Sequence, residues 1–325
     1  MLRRTFLAAS MGSLGALAAC NSPRRQLFTG ATLAFGTTIT VALVHDDAGQ
    51  AQEAISAALE QAVQVDRLMS IYSPGSQVFQ LNRDGVLDRP DAHLLQVLAQ
   101  AHALSVLTRG AFDITVQPLW QAYRQASSAV AGALPSAQQR RQAKARVGWQ
   151  RVQVEADGVR LARGAAITLN GLAQGYAADL AMAAVRARGI DNALLDTGEF
   201  AAHGSNGARQ PWTLGILDPR DAGALATRLR VDGRCVATSG DYASTFTDDF
   251  AHHHIFDPAT ADSPRELASV TVVAPTAMLA DGLSTAFMVM GARKSHALAA
   301  SLAGVDVMTI NKRGVVWKSP AFPRA

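Results

Sequence analysis

The chain has 325 residues, 49% of them hydrophobic and 17% charged, with a formal net charge of +4. A balance this near neutral, with no basic run interleaved with aromatics, excludes nucleic acid as the partner. Only Cys20 and Cys235 are cysteines, so no internal disulfide framework is built.

Met1 to Ala19 reads as a signal peptide rather than as part of the fold. Arg3-Arg4 is a positive start, Phe6 to Ala19 is a short apolar run, and small residues end it. Arg3-Arg4-Thr5-Phe6-Leu7 resembles a twin-arginine export signal, and Leu17-Ala18-Ala19-Cys20 resembles a lipobox, whose Cys becomes the acylated first residue of the mature protein. Loss of Arg3 and Arg4 lowers the net charge by two. No later stretch reaches the roughly 18 apolar residues of a membrane helix. The expected organisation is a signal at 1–19, a tether at 20–30 and one folded unit at 31–325. The protein is expected to be exported to the periplasmic side of a bacterial inner membrane and anchored there by lipid at Cys20.

In chain order, Leu33 to Val44 alternates as a strand, and Gln52 to Met69 is an amphipathic helix. Ser73-Pro74-Gly75-Ser76 turns the chain, with Ser76 able to cap a short helix. Ala92 to Thr108 forms the next helix, which Arg109-Gly110 ends. In GAFDITVQPLW, Asp113 stands among Phe112, Ile114 and Val116 and needs a partner, a ligand or a loop to cap. Ser127 to Arg146 reads as an exposed loop and a solvated helix. Trp149 to Leu161 reads as a hairpin around Asp157-Gly158.

Ile167 to Gly189 reads as the end of a strand, a turn at Asn170-Gly171 and a small-residue helix. Such a junction is either an ordinary connection or an anion site, because the first helical N–H groups lack internal partners. Gly171 and Gly175 allow a second backbone or a phosphate to come close. Asp196 to Glu199 reads as a polar loop. Trp212 to Leu217 reads as a strand running into a turn at Asp218-Pro219. Cys235 reads as a small core residue, and Thr238-Ser239-Gly240 as a hydroxyl-rich loop. His252-His253-His254 is not read as a zinc site, since neighbours on an extended chain point apart. Thr276 to Gly291 is a helix on which Asp281 and Thr285 share a face among Met278, Leu279, Leu283 and Phe287. A carboxylate there needs an Arg partner or a hard cation, and oxygen donors of this kind suit Mg²⁺. A closing hairpin spans Val305 to Ile310 and Gly314 to Trp317.

The order of FGTT at Phe35, DRLMSIYSPGS at Asp66, GAFDITVQPL at Gly110, NGLAQGYAAD at Asn170, ATSGDY at Ala237, HIFDP at His254 and ADGLSTA at Ala280 resembles the ApbE family of FAD:protein FMN transferases. The NGLAQG form is similar to its NosX-like branch. The resemblance implies FAD as substrate, Mg²⁺, AMP as product, and a partner flavoprotein with a Ser or Thr acceptor, such as a membrane redox protein. It implies metal ligation by Asp281, Thr285 and the main-chain carbonyl of Gly171. Flavin contacts are implied at Phe35, Tyr72, Ala111, Phe112, Asp113, Thr168, Gln174 and Ile255. His254 or a metal-bound water is the candidate base, with Asp281 the other catalytic candidate. The expected fold is α+β, with largely antiparallel sheets packed with helices in one two-lobed unit. The chain departs from the usual pattern at Thr168 (Asp in the family), Gln174 (Lys), Thr197 (Gly), Ala261 (Gly) and Phe35 (Met). Two other readings remain open: a Mg²⁺-dependent FAD pyrophosphatase, and a lipoprotein that only binds flavin.

Overall fold

The computed structural model describes residues 25–155 and 157–324. The signal, the lipobox and Cys20 lie outside the described residues. Strands β1 (Gln26–Ala34) and β2 (Thr37–His45) form a hairpin, not the single strand expected from Leu33 onward. Ala34 pairs with Thr37, which leaves Phe35 and Gly36 as a two-residue turn with φ of 54° and 71°. Two positive φ values are what a right-twisted hairpin requires there, and Phe35 pays the strain of the left-handed region. β1 also begins inside the stretch 20–30 read as a tether.

Helix α1 (Ala48–Met69) is capped by Asp47, whose side chain accepts from the Gln50 N–H at 2.9 Å. Its Ala51, Ala54, Ile55, Ala58, Ala62, Val65 and Met69 repeat every three or four residues and are buried. Next come α2 (Gln77–Asp84), capped by Ser76 as expected, β3 (Val86–Asp88) and α3 (Ala92–Leu107). A 3-10 turn (Ile114–Val116) leads into α4 (Gln117–Ala129) and α5 (Ala137–Lys144). β4 (Val152–Val154) and β5 (Gly158–Leu161) make the expected hairpin, and β3 completes a small three-stranded sheet.

After α6 (Ala173–Arg186) come β6 (Ala193–Asp196), β7 (Phe200–His203), β8 (Thr213–Leu217), β9 (Leu225–Arg230), β10 (Cys235–Gly240) and β11 (Leu267–Ala274). The chain closes with α7 (Ala277–Met290), α8 (Ala292–Ala299), β12 (Asp306–Asn311) and β13 (Val316–Lys318). The main sheet has the order β1-β2-β6-β7-β10-β11-β12-β13, and every pairing in it is antiparallel. The fold is α+β, as expected.

Strand β11 shows why the sheet is a middle layer. Val270, Val272 and Ala274 point into the core shared with Leu283 and Phe287 of α7, while Val273 points into a second core with Trp212, just before β8, and Leu214 of β8. A strand buried on both faces is expected to be largely apolar, and β11 is, with all eight residues buried and only Ser269 and Thr271 polar. Phe287 alone, fully buried, contributes about 1.5–3 kcal/mol. Cys235 is buried at the start of β10 in the core beneath α1 and α6, and burial pushes its thiol up to about 12.

Candidate active site

Ile167 to Leu169 does not join a sheet. Its backbone is satisfied otherwise: the Asn82 amide both donates to the Ile167 carbonyl (2.8 Å) and accepts from its N–H (2.7 Å). The Thr168 N–H donates to the Ile114 carbonyl at 2.8 Å, and the Thr168 hydroxyl accepts from Asn170 N–H at 3.3 Å. A side-chain amide here does the work of a neighbouring strand, which periodicity cannot reveal.

The turn at Asn170-Gly171 is present, but α6 starts later, at Ala173, without a side-chain cap. Its early N–H groups are partly committed inside the protein. That of Ala173 donates to the Leu169 carbonyl at 2.9 Å, and that of Gly175 to Oδ2 of Asp281 at 3.1 Å. The anion site expected at this helix start is therefore narrower than an open helix N-terminus.

Gly175 is where α6 meets α7. A Cβ there would overlap the Ala277 carbonyl oxygen and lie 2.8 Å from Cα of Met278. The room that Gly175 leaves is thus taken by a second backbone, one of the two uses its lack of a side chain allows. One turn on, Asp179 caps α7, accepting from the N–H groups of Ala277 (2.7 Å) and Met278 (3.0 Å). Thr276 completes the cap by accepting from Leu279 N–H at 3.2 Å.

These contacts fix the first turns of α7, and so the position of Asp281. Asp281 is 4% exposed. Among the described residues no Arg forms an ion pair with it: its carboxylate meets the Gly175 amide, and the charged neighbour is a second acid, Asp179. Burial, with Asp179 adding to it, holds the Asp281 carboxyl above the ordinary carboxylate range. Burial likewise raises Asp179 and Asp196. Thr285 lies one turn along α7, and a Cβ on Gly171 would sit 3.0 Å from its hydroxyl oxygen and 3.5 Å from the Phe112 ring. The Ser239 hydroxyl reaches that of Ser284 at 2.7 Å and that of Thr285 at 3.3 Å.

Asp281, Thr285, Gly171 and Phe112 thus converge. Among the described residues no three His, Cys, Asp or Glu side chains gather for a metal. A cation at Asp281 would rest on one carboxylate together with hydroxyl and main-chain oxygens. That hard, sparse donor set fits Mg²⁺, which keeps waters and substrate phosphates as its remaining ligands.

Other expected site residues stand apart in their contacts. The Asp113 carboxylate is filled by Thr115, through its N–H (2.8 Å) and hydroxyl (2.6 Å), and by the Trp149 N–H (2.9 Å). It caps the 3-10 turn at Ile114–Val116, so its carboxylate is engaged within the protein. Ile255 is buried in the same core as Phe112, and Phe35 packs against that core. Tyr72 is exposed and stacks edge-on with Trp120 at 6.1 Å, beneath Arg124. Gln174 donates to the Thr197 carbonyl at 2.7 Å.

His252, His253 and His254 each take a different partner: Asp262 (2.6 Å), the Pro264 carbonyl (3.1 Å) and the Ser244 carbonyl (3.2 Å). Thr238 and Ser239 belong to β10 and not to a loop, because Thr238 and Ser239 pair with Thr271 and Val270 of β11. Sequence reasoning passed over Asp179, though an acid on the otherwise apolar face of α6 was a signal. It also passed over Arg220, which clasps the fully buried Asp241 at 2.8 Å through both nitrogens. Nothing in the spacing of that pair marks it.

A model of the ApbE family matches residues 35–309. The chain belongs to the ApbE family. It is 30% identical to a relative named FAD:protein FMN transferase from Klebsiella pneumoniae, over 98% of this chain and 96% of that one. It is also 30% identical to one of the same name from Salmonella typhimurium, over 93% of this chain and 89% of that one. Among solved structures it is similar to the ApbE protein of Thermotoga maritima, with 26% identity, a TM-score of 0.82, and 92% and 100% of the two chains covered. The flavinyl transferase ApbE of Pseudomonas stutzeri is similar too, with 27% identity and a TM-score of 0.77 over 93% and 98% of the chains. The ApbE assignment therefore spans both the sheet and the α6–α7 junction.

Proposed function

We propose that this enzyme moves FMN from FAD onto a Ser or Thr hydroxyl of a partner protein, releasing AMP. The observation that carries this reading is membership of the ApbE family over the segment that contains Gly171, Asp281 and Thr285. Asp281, Thr285 and the Gly171 carbonyl would hold Mg²⁺, which when bound offsets the charge of the FAD pyrophosphate.

The chain's own residues do the rest. Buried Phe112 and Ile255 give an apolar wall for the flavin end of the substrate, and the Gly171 turn lets a phosphate approach the backbone. The acceptor oxygen bonds to the FMN-side phosphorus, the bond from that phosphorus to the bridging oxygen breaks, and AMP leaves with the electron pair. The acceptor proton goes to a base. His254 is the residue we assign to it, because its half-buried ring is oriented by the contact of Nδ1 with the Ser244 carbonyl. The export signal and lipobox read at residues 1–20 support a reaction outside the cytoplasm at a membrane, with a membrane-bound acceptor. Equal acyl labelling of Cys20→Ala and wild type would remove the anchor from this proposal.

Incubated with FAD, Mg²⁺ and an acceptor domain, the enzyme is expected to give a fluorescent acceptor band that survives denaturing electrophoresis, with AMP appearing in step. Rapid AMP and free FMN without a labelled acceptor would make it a pyrophosphatase. FAD that stays intact throughout would make it a binding protein.

A further inference from the structure

Two residues that depart from the family's usual pattern are in contact with each other. Gln174, the second residue of α6, donates through Nε2 to the Thr197 carbonyl at 2.7 Å. Thr197, fully buried between β6 and β7, returns a hydrogen bond from its hydroxyl to the Gln174 carbonyl at 2.9 Å. Each side chain thus bonds the other residue's backbone. Between them lies Gly198, whose φ of +97° and missing Cβ make the seat for the Gln174 amide; a Cβ there would overlap Nε2.

The clasp is tied onward to the site. The Glu199 carboxylate accepts from the Thr238 N–H at 3.2 Å, and the next residue, Ser239, touches the Thr285 hydroxyl at 3.3 Å. Asp196 holds the same loop from below by accepting from the Gly198 N–H at 3.0 Å. The route from the Gln174 side chain therefore runs through the loop and the end of β10 to Thr285.

We propose that Gln174 is a positioning residue: with Thr197 it forms a two-way latch that fixes the 196–199 loop against α6 and so sets the place of Ser239 and Thr285. A neutral amide committed to this latch adds no cation to the FAD pyrophosphate, whose charge is left to the metal and the backbone. The proposal rests on the flavin-transfer reading only for its kinetic readout.

The test compares wild type with Gln174→Met, Thr197→Val, the double variant and Thr197→Ser. Amide hydrogen exchange of the unliganded proteins at Thr197, Gly198 and Glu199 is expected to rise about tenfold in Gln174→Met and in Thr197→Val, and no further in the double variant. Thr197→Ser, which keeps the hydroxyl, should exchange like wild type. Kd for FAD should stay within about twofold throughout, while the turnover of labelled acceptor falls about tenfold in the two latch variants and recovers in Thr197→Ser. A tenfold weaker FAD Kd in Gln174→Met alone, with Thr197→Val like wild type, would overturn the proposal by making Gln174 a ligand of FAD. Unchanged exchange in every variant would overturn it as well. If wild type labels no acceptor, the flavin-transfer reading falls, and exchange and FAD binding still decide the latch.

Discussion

The main-chain N–H of Gly175 donates to Oδ2 of Asp281 at 3.1 Å. That bond joins the start of one helix to the carboxylate of the next, and an amide side chain at 281 could accept it equally well. Asp281→Asn should therefore keep the fold and lose the cation. Transfer in the presence of Mg²⁺ is expected to drop by about 10² or more, with a melting temperature at or above that of wild type, because a buried charge has gone. Undiminished transfer with its usual Mg²⁺ dependence would remove Asp281 from the metal site.

Gly175→Ala puts a methyl group into the Ala277 carbonyl, and that obstacle is backbone with no rotamer to change. The helices must part, at a cost of about 1–3 kcal/mol. The expected readout is a lower melting temperature together with weaker Mn²⁺ binding, since the Gly175 N–H moves with the helix. Wild-type values for both would show that the α6–α7 contact yields freely.

Asp179→Ala orphans the N–H groups of Ala277 and Met278 at the start of α7. Loss of such a cap destabilises by about 1–2 kcal/mol. Denaturant unfolding measures it, and Asp179→Asn, which retains one acceptor oxygen, should fall between Ala and wild type. Equal stabilities of all three would show that Thr276 alone caps the helix.

His253 is fully buried, its Nε2 donating to the Pro264 carbonyl at 3.1 Å while Nδ1 accepts weakly from Ile255 N–H at 3.4 Å. Burial lowers its pKa from 6.5 to about 4. The unfolded chain therefore takes up a proton before the folded one does. The stability that His253 provides is complete above about pH 6.5 and is lost as the pH falls towards 4, about 3 kcal/mol over that window. Unfolding free energies measured from pH 7 to pH 4 should fall less steeply in His253→Gln. Parallel curves for the two proteins would exclude His253 as the cause.

Much of the site could be read in advance because its residues sit on regular elements. The helix bearing Asp281 and Thr285 follows from its apolar period and the Thr276 cap, and the turn at Asn170-Gly171 from its dipeptide. What stayed hidden was non-local. Asn82 stands in for a strand beside Ile167 from 85 residues away. The Phe35-Gly36 turn lacked the usual Asn or Asp, so two strands read as one. Thr238 and Ser239 look like loop residues until β11 pairs with them. Asp113 needed only Thr115 and Trp149, and a single sequence cannot say which of several partners a buried acid finds.

Cys235 has a consequence for how the chain lives in its surroundings. With the thiol pushed up to about 12 beneath α1 and α6, it stays protonated at any pH a cell presents. A protonated, enclosed sulfur neither exchanges with glutathione nor yields to peroxide. Cys235 is the one cysteine among the described residues, so the folded unit they form has no internal disulfide to make or lose in a reducing or an oxidising compartment.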